Sequence, residues 1–268
     1  MREVPDGASG EARKALHAVG EATLNLLSEN DAYTEYLWDE LSRLSPRPVQ
    51  GRVLEMGCGI GSLTRLILRS ASVELVHAVD LDPAYVERVR AQLSGPRLRA
   101  TPARAEDFCP QEHTTPEGGF DAIVSSNVLE HIEDHERVVR NFKTMLRPGG
   151  VILILVPAHP CLYSSLDRNL SHFRRYRRCD MERLAQVAAL EVLRIRHFNP
   201  LAALGWWFNG KVLRRRVLPS RQVALYSRFG IRVSKLFDRL NPLPFGISLL
   251  AALAHREVPG RGAAKELA

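Results

Sequence analysis

The 268-residue chain has no apolar run approaching the roughly 20 residues that a membrane-crossing helix needs. Its longest runs are Val151–Val156 and Gly246–Ala254. It also lacks the start of a secretory leader. The opening MREVPDGASGEARKAL carries acids where a basic segment would stand, and no apolar stretch follows, so the expected location is cytoplasmic. Cysteine is scarce: Cys58, Cys109, Cys161 and Cys179 form no CxxC pair and no metal-ligand spacing, which points to reduced thiols rather than a disulfide framework. There is no internal repeat and no phosphate-gripping GxxxxGK[ST] lysine.

What remains is a chain 45% apolar and 25% charged, the balance of an ordinary globular protein rather than a disordered or fibrous one. Its length suffices for a core that needs no staples. The positive charge is local. Against a net charge of +7, residues 168–183 carry +4 and residues 211–239 carry +8, leaving the remainder at −5.

Apolar spacing predicts helices over Ala12–Ser28 and Tyr33–Leu44, closed by Ser45-Pro46-Arg47-Pro48. From Arg52 short strands alternate with helices. Strands are expected at Arg52–Met56, Glu74–Val79, Arg97–Thr101, Phe120–Ser126, Val151–Val156, Glu191–His197 and Gly246–Ala254. Helices are expected at Ser62–Ser70, from Pro83 to about Leu93 behind an Asp82 cap, at Ile132–Leu146 and at Asp180–Ala189. Such alternation predicts an α/β fold, a doubly wound and mostly parallel seven-stranded sheet. The expected organisation is an N-terminal helical cap (1–50), a core (51–199) with an irregular insertion (157–179), a helical segment (200–244), a last strand (245–258) and a disordered tail (259–268).

Chemistry concentrates at strand ends. Glu55-Met56-Gly57-Cys58-Gly59-Ile60-Gly61 places glycines between a strand and a helix, where backbone can turn sharply and a ligand approach closely. Alone, this pattern serves several nucleotide-binding classes. Asp80 ends the next strand, where a carboxylate can accept both hydroxyls of a ribose, as in a nicotinamide enzyme. Ala105-Glu106-Asp107-Phe108 follows the third strand, Ser126-Asn127-Val128-Leu129-Glu130-His131-Ile132 the fourth, and Arg147-Pro148-Gly149-Gly150 leads into the fifth.

In this order the five elements resemble the class I S-adenosylmethionine-dependent methyltransferase family, over about Arg52–Pro157 with weaker support to Ala254. The resemblance implies a Rossmann-like fold, S-adenosylmethionine as cofactor with S-adenosylhomocysteine as product, and no metal. It implies that Gly57, Cys58, Gly59 and Gly61 carry the methionyl end, with Glu55 near its amine and Tyr36 covering it. Asp80 would hold the ribose and Leu81 pack beside the adenine. Glu106, Asp107 and Phe108 would flank the adenine, and Asn127 and Val128 would line the cofactor near the sulfonium. Core packing for Phe108 and backbone capping for Glu55 stand as alternatives. The run Glu130, His131, Glu133, Asp134, His135 reads as a solvated helix start rather than a metal site, because on one helix these residues share no face.

Ser126-Asn127-Val128-Leu129 departs from the (Asp/Asn/Ser)-Pro-Pro-(Tyr/Phe) pattern of family members that methylate exocyclic or amide nitrogens, which speaks against DNA-adenine and protein-glutamine acceptors. The insertion after the fifth strand is similar to one in a bacterial subgroup of type 11/12 small-molecule methyltransferases. Within it His159, Asp167, His172 and Tyr176 are candidates for a base or for orienting the acceptor. Tyr163, Arg174 and Arg175 are candidate substrate contacts, the arginines as an anion clamp; an ion pair fixing the insertion's shape is the structural alternative. Trp206 and Trp207 are further substrate-contact candidates in the segment expected to form a lid. The basic stretch 211–239 fits a solvated cap, a nucleic-acid contact or a peripheral membrane contact, and the cap is favoured because the family builds lids there. The expected function is therefore methyl transfer to a small, plausibly anionic organic acceptor. Alternatives are a lipid-linked or polyprenyl-phosphate substrate at a membrane surface, RNA, a non-catalytic cofactor-binding partner protein and, last, a nicotinamide dehydrogenase. The oligomeric state is left open.

Overall fold

A computed structural model describes residues 31–108, 119–215, 217–240 and 244–255. The predicted helix Ala12–Ser28, Cys109 and the predicted tail lie outside these residues. Seven strands form one sheet: β1 (Gly51–Met56), β2 (Val73–Asp80), β3 (Leu98–Pro102), β4 (Phe120–Ser126), β5 (Leu146–Pro157), β6 (Leu190–Phe198) and β7 (Ser248–His255). Their order is β3-β2-β1-β4-β5-β7-β6. The pairs among β1–β5 are parallel, and β7 runs antiparallel to both neighbours. The order in which the chain adds strands reverses at β1/β4, so the loops after those parallel strands open a crevice at their carboxyl ends.

The central strand β5 shows why the sheet is covered on both faces. Ile152, Ile154 and Val156 enter one apolar cluster, and Val151, Leu153 and Leu155 enter the other. The first cluster is closed by α4 (His135–Met145), through Val138, Val139 and Phe142, and by α6 (Arg178–Val187), through Met181 and Leu184. The second is closed by α1 (Asp31–Ser42), through Tyr36, Leu37 and Leu41, and by α2 (Ser62–Leu68), through Leu63 and Ile67. A smaller cluster lies under α3 (Pro83–Gln92), whose Asp82 cap accepts from the Ala84 amide at 2.8 Å as the Asp-Pro pair predicts.

Three expectations shift. The Arg147–Gly150 turn is the start of β5, whose register slips against Phe120/Ala122. The helix expected from Ile132 begins at His135, because Asp134 caps it, and a single 3-10 turn precedes it at Leu129–His131. The insertion 157–179 is not wholly irregular. It holds α5 (Ser165–Asn169), opened by a capping box between Ser164 and Asp167.

The segment after β6 contains α7 (Pro200–Trp207), α8 (Ser220–Leu225) and α9 (Ile231–Leu240), with wider π turns at Phe208–Val212 and Tyr226–Gly230. Asp238 of α9 ties this segment to the core. It accepts from the Tyr36 hydroxyl on α1 and, at 3.2 Å, from the Asn199 amide at the end of β6. Arg196 lies 4.0 Å from it and 2.8 Å from Glu40. Asp238→Ala strips a buried anion from a site that also contains a cation, and is expected to cost about 3 kcal/mol in denaturant unfolding. Proteolysis should then cut first between residues 200 and 244.

Candidate active site

A cavity of about 470 Å³ opens at the carboxyl ends of β1, β2 and β4, a size typical of small-molecule sites. Its wall includes Glu55, Gly57, Cys58 and Gly59 after β1, Asp80 and Leu81 after β2, Glu106 after β3, and Asn127 and Val128 after β4. The β1 turn is held shut by its own amides: Gly57 and Cys58 both donate to the Val79 carbonyl, at 2.7 and 3.0 Å. Gly57 has φ +82, and a Cβ there would run into Val128 Cγ2. Only glycine fits both conditions.

Asp80 accepts from the Gly59 amide at 2.8 Å and from the Asp82 amide at 3.0 Å, one per oxygen. Each oxygen retains a lone pair for a hydroxyl donor from the cavity. Burial raises the Asp80 carboxyl above its ordinary value, and the two amides oppose that. Glu55 is buried and accepts from the Thr64 hydroxyl at 2.6 Å. Burial pushes it to about 8, with Asp80 adding to the rise. A buried acid of this kind gains most from a cationic ligand group.

Other expected cofactor contacts fall elsewhere. Tyr36 is fully buried against Phe198, ring centroids 4.7 Å apart, with its hydroxyl on Asp238. From the same helix Tyr33, Thr34 and Leu37 face the cavity instead. Phe108 is core, fully buried with its ring edge-on to His77. Asp107 is exposed and pairs with Arg104 and Arg137. Gly61 caps α2 with φ +86 and packs toward Val89 and Leu93 rather than the cavity. Tyr85, Arg104, His131 and Ile132 line the wall without having been singled out for it.

The insertion residues form a network beside the cavity. Asp167 is fully buried. It meets Arg175 Nε at 2.6 Å, His172 Nδ1 at 3.1 Å, the Ser164 amide at 2.9 Å and Trp206 Nε1 at 3.2 Å. Burial would raise its carboxyl, but His172 and Arg175 outweigh that and hold it below the ordinary value. Arg175 also donates to the Ala158 carbonyl at 2.9 Å and stacks over Trp206. It is thus consumed within the fold, and Arg174 is engaged with His135 and the Glu133 carbonyl. The expected anion clamp is therefore not assembled.

Tyr176 is buried with its hydroxyl 2.8 Å from His135 Nδ1. Tyr163 donates to the His172 carbonyl at 2.7 Å. His159 stacks between His197 and Phe245. Trp207 is half exposed, away from Asp167's network. None of these expected catalytic and substrate residues is on the cavity wall. Contact with it runs through His131, whose ring stands edge-on to His172 at 4.7 Å between centroids.

Glu130 corrects the solvated reading of its run. It is fully buried, and neither carboxylate oxygen has a hydrogen-bond partner. With His131 and His172 it places three ligand-type atoms within 4.8 Å of one another, brought together by the turn after β4 and by the insertion rather than by one helix. Burial pushes Glu130 to about 8, so it favours its protonated form at neutral pH. His131 is exposed on the cavity wall, and the groups around it, His172 among them, lower its value.

A glycine turn after β1, a carboxylate at the end of β2 and a crevice where the strand order reverses are consistent with a class I S-adenosylmethionine-dependent methyltransferase. The comparisons agree. Residues 30–213 match the family model described as a methyltransferase domain, and the chain belongs to that family. A Mycolicibacterium smegmatis protein named as a probable S-adenosylmethionine-dependent methyltransferase is 29% identical over 208 residues, covering 76% of this chain and 77% of that one. A ubiquinone biosynthesis O-methyltransferase of Xanthomonas axonopodis pv. citri is 29% identical over 144 residues, 53% of this chain and 52% of the relative. Haemonchus contortus phosphoethanolamine N-methyltransferase 2, solved with phosphomonomethylethanolamine and S-adenosylhomocysteine, superposes with a TM-score of 0.60 at 17% identity, over 95% of this chain and 62% of that chain.

Glu130 generates a pH prediction. Its ordinary value is 4.5 and its folded value about 8, so between these the folded state holds a proton that the unfolded chain has released. Stability therefore falls as pH rises through that window. Between pH 4.5 and 6.5 the lowered histidines act in the opposite sense, so the clear window lies above it: Glu130→Gln should flatten the decline in melting temperature between pH 6.5 and pH 8 measured by calorimetry. Glu55 contributes a residual slope of the same sign.

Proposed function

We propose that this methyltransferase acts on a small organic acceptor carrying an ionisable O–H or N–H group. The observation that supports this reading is the single cavity that runs from Glu55, Asp80 and Glu106 to Asn127, His131 and Ile132. One half has cofactor chemistry and the other ends on a neutral histidine. The relative named for ubiquinone biosynthesis O-methyl transfer is in keeping with a small acceptor.

In this reading Asp80 takes the ribose hydroxyls, Glu55 faces the methionyl ammonium, and Leu81 and Glu106 flank the adenine. Gly57, Cys58 and Gly59 provide the surface on which the methionyl end rests. S-adenosylmethionine supplies an electrophilic sulfonium methyl group. The protein's task is alignment and removal of a proton. Holding the acceptor in line supplies much of the acceleration. His131, which stands on the cavity wall with His172 behind it, accepts the acceptor's proton. His172 is oriented by Asp167 and in turn backs His131. Asp167, His172, Arg175 and Tyr176 thus act as positioning residues, and residues 200–244 as a lid held to them through Trp206.

Calorimetric titration of S-adenosylhomocysteine tests the cofactor half. Asp80→Ala is expected to weaken binding by about 2–3 kcal/mol, the value of hydrogen bonds to a charged group. Binding of equal strength in the variant contradicts the assignment. His131→Asn tests the other half. It should leave S-adenosylhomocysteine affinity unchanged and lower kcat by about 100-fold or more. The activity that survives should rise with the acceptor's own ionisation, whereas the wild-type profile should level off below neutral pH, where His131 has lost its proton.

A further inference from the structure

We propose that the outward side chains of α7, α8 and α9 dock on a membrane surface rich in anionic lipid. The clearest sign is α9, whose amphipathic pattern is turned inside out. Its inward stripe is Ile231, Ser234 and Asp238, all buried. Its outward stripe is Val233, Leu236 and Phe237, which are 42%, 55% and 49% exposed. These three recur at the spacing of a single helix face. A helix that only covered a core would bury this stripe and expose the serine and the aspartate.

Exposed apolar side chains are also concentrated in the rest of the segment. Sixteen large apolar side chains are exposed among the described residues, and twelve of them lie between Leu204 and Phe245. Trp207, Leu225 and Phe229 are each exposed by half or more. That concentration exceeds what scattered surface apolar residues would produce, and exposed apolar side chains gathered in one segment point to a contact.

Charge selects the partner. Residues 211–239 contain nine basic side chains and one acid, Asp238, which is buried and engaged with Tyr36. Lys211, Arg221, Arg228, Arg232 and Arg239 are exposed beside the apolar residues. A second copy seated on the same face would oppose like charges across a two-fold axis. Nucleic acid would satisfy the arginines but leave the outward Val, Leu and Phe side chains against a polar surface. An anionic lipid surface satisfies both, with apolar groups at the headgroup boundary and arginines on the phosphates. No helix among the described residues is long and apolar enough to cross a membrane, so the contact is peripheral.

The test is sedimentation of the full chain with vesicles of phosphatidylcholine alone or mixed equally with phosphatidylglycerol, at low and high salt. The expected result is binding to the anionic vesicles that is at least about tenfold stronger than to neutral ones and weakens with salt. The double variant Leu236→Ser/Phe237→Ser should retain its melting temperature and lose about tenfold in partitioning. Tryptophan emission should shift to the blue on binding, and Trp207→Phe should reduce the shift while sedimentation persists. The proposal is overturned if the folded chain stays in the supernatant with anionic vesicles at low salt, or if the double variant sediments equally well. It is also overturned if light scattering shows a dimer that the double variant dissociates, or if structured RNA binds and vesicles do not.

Discussion

Asp167 gathers an arginine, a histidine, a tryptophan and a backbone amide around one carboxylate that water does not reach. Such a site is tolerable only because every lone pair finds a donor and Arg175 balances the charge. The partners come from three stretches of chain: the capping box of α5, the strand-like return at His172–Tyr176, and α7. The insertion, the segment after β6 and the cavity edge therefore share one anchor. His172, held by that anchor, stands behind His131, so the acceptor side of the cavity inherits its geometry from a group that does not touch it.

The cofactor side is built on a different principle. There the backbone does most of the holding: the β1 turn is stapled to β2 through Val79, and Asp80 is fixed by two amides. Two acids, Glu55 and Glu130, are buried without a salt-bridge partner and pushed to about 8, although Arg175 opposes the rise at Glu130. Their burial costs stability at neutral pH, a burden usually found where function needs the group. For Glu55 a ligand's ammonium would relieve it.

Beyond the anchor, the segment after β6 departs from ordinary globular economy. It buries a polar stripe of α9 and turns an apolar one outward, and Asn199 spends its side chain on Tyr226, Ser234 and the first turn of α7. Polar residues facing inward are thus matched one by one, while the apolar ones are left for a partner. The same segment concentrates the chain's positive charge. These properties make sense together at an interface between water and an anionic apolar phase.

Strand–helix alternation and apolar runs determined the sheet, because a strand buried on both faces must read as continuously apolar, as Val151–Val156 does. The Gly57–Gly61 turn and Asp80 were legible for a similar reason, since their chemistry depends on backbone conformation and on a strand end. Tyr33 and Tyr36 were not separable, being one helical turn apart on α1. Only the packing of Phe198 and Asp238 decides which is core and which is wall. Phe108 and Asp107 likewise depend on the path of the loop after β3. Glu130, His131 and His172 are 42 residues apart at their extremes, and no local pattern encodes that the insertion folds back to join them. Nor could spacing show that Arg174 and Arg175 are consumed inside the fold. Sequence alone determined what each strand end offers, because local backbone sets it. Tertiary structure decided which side chains meet across the crevice, because burial and pairing of charge depend on parts of the chain that are distant in sequence.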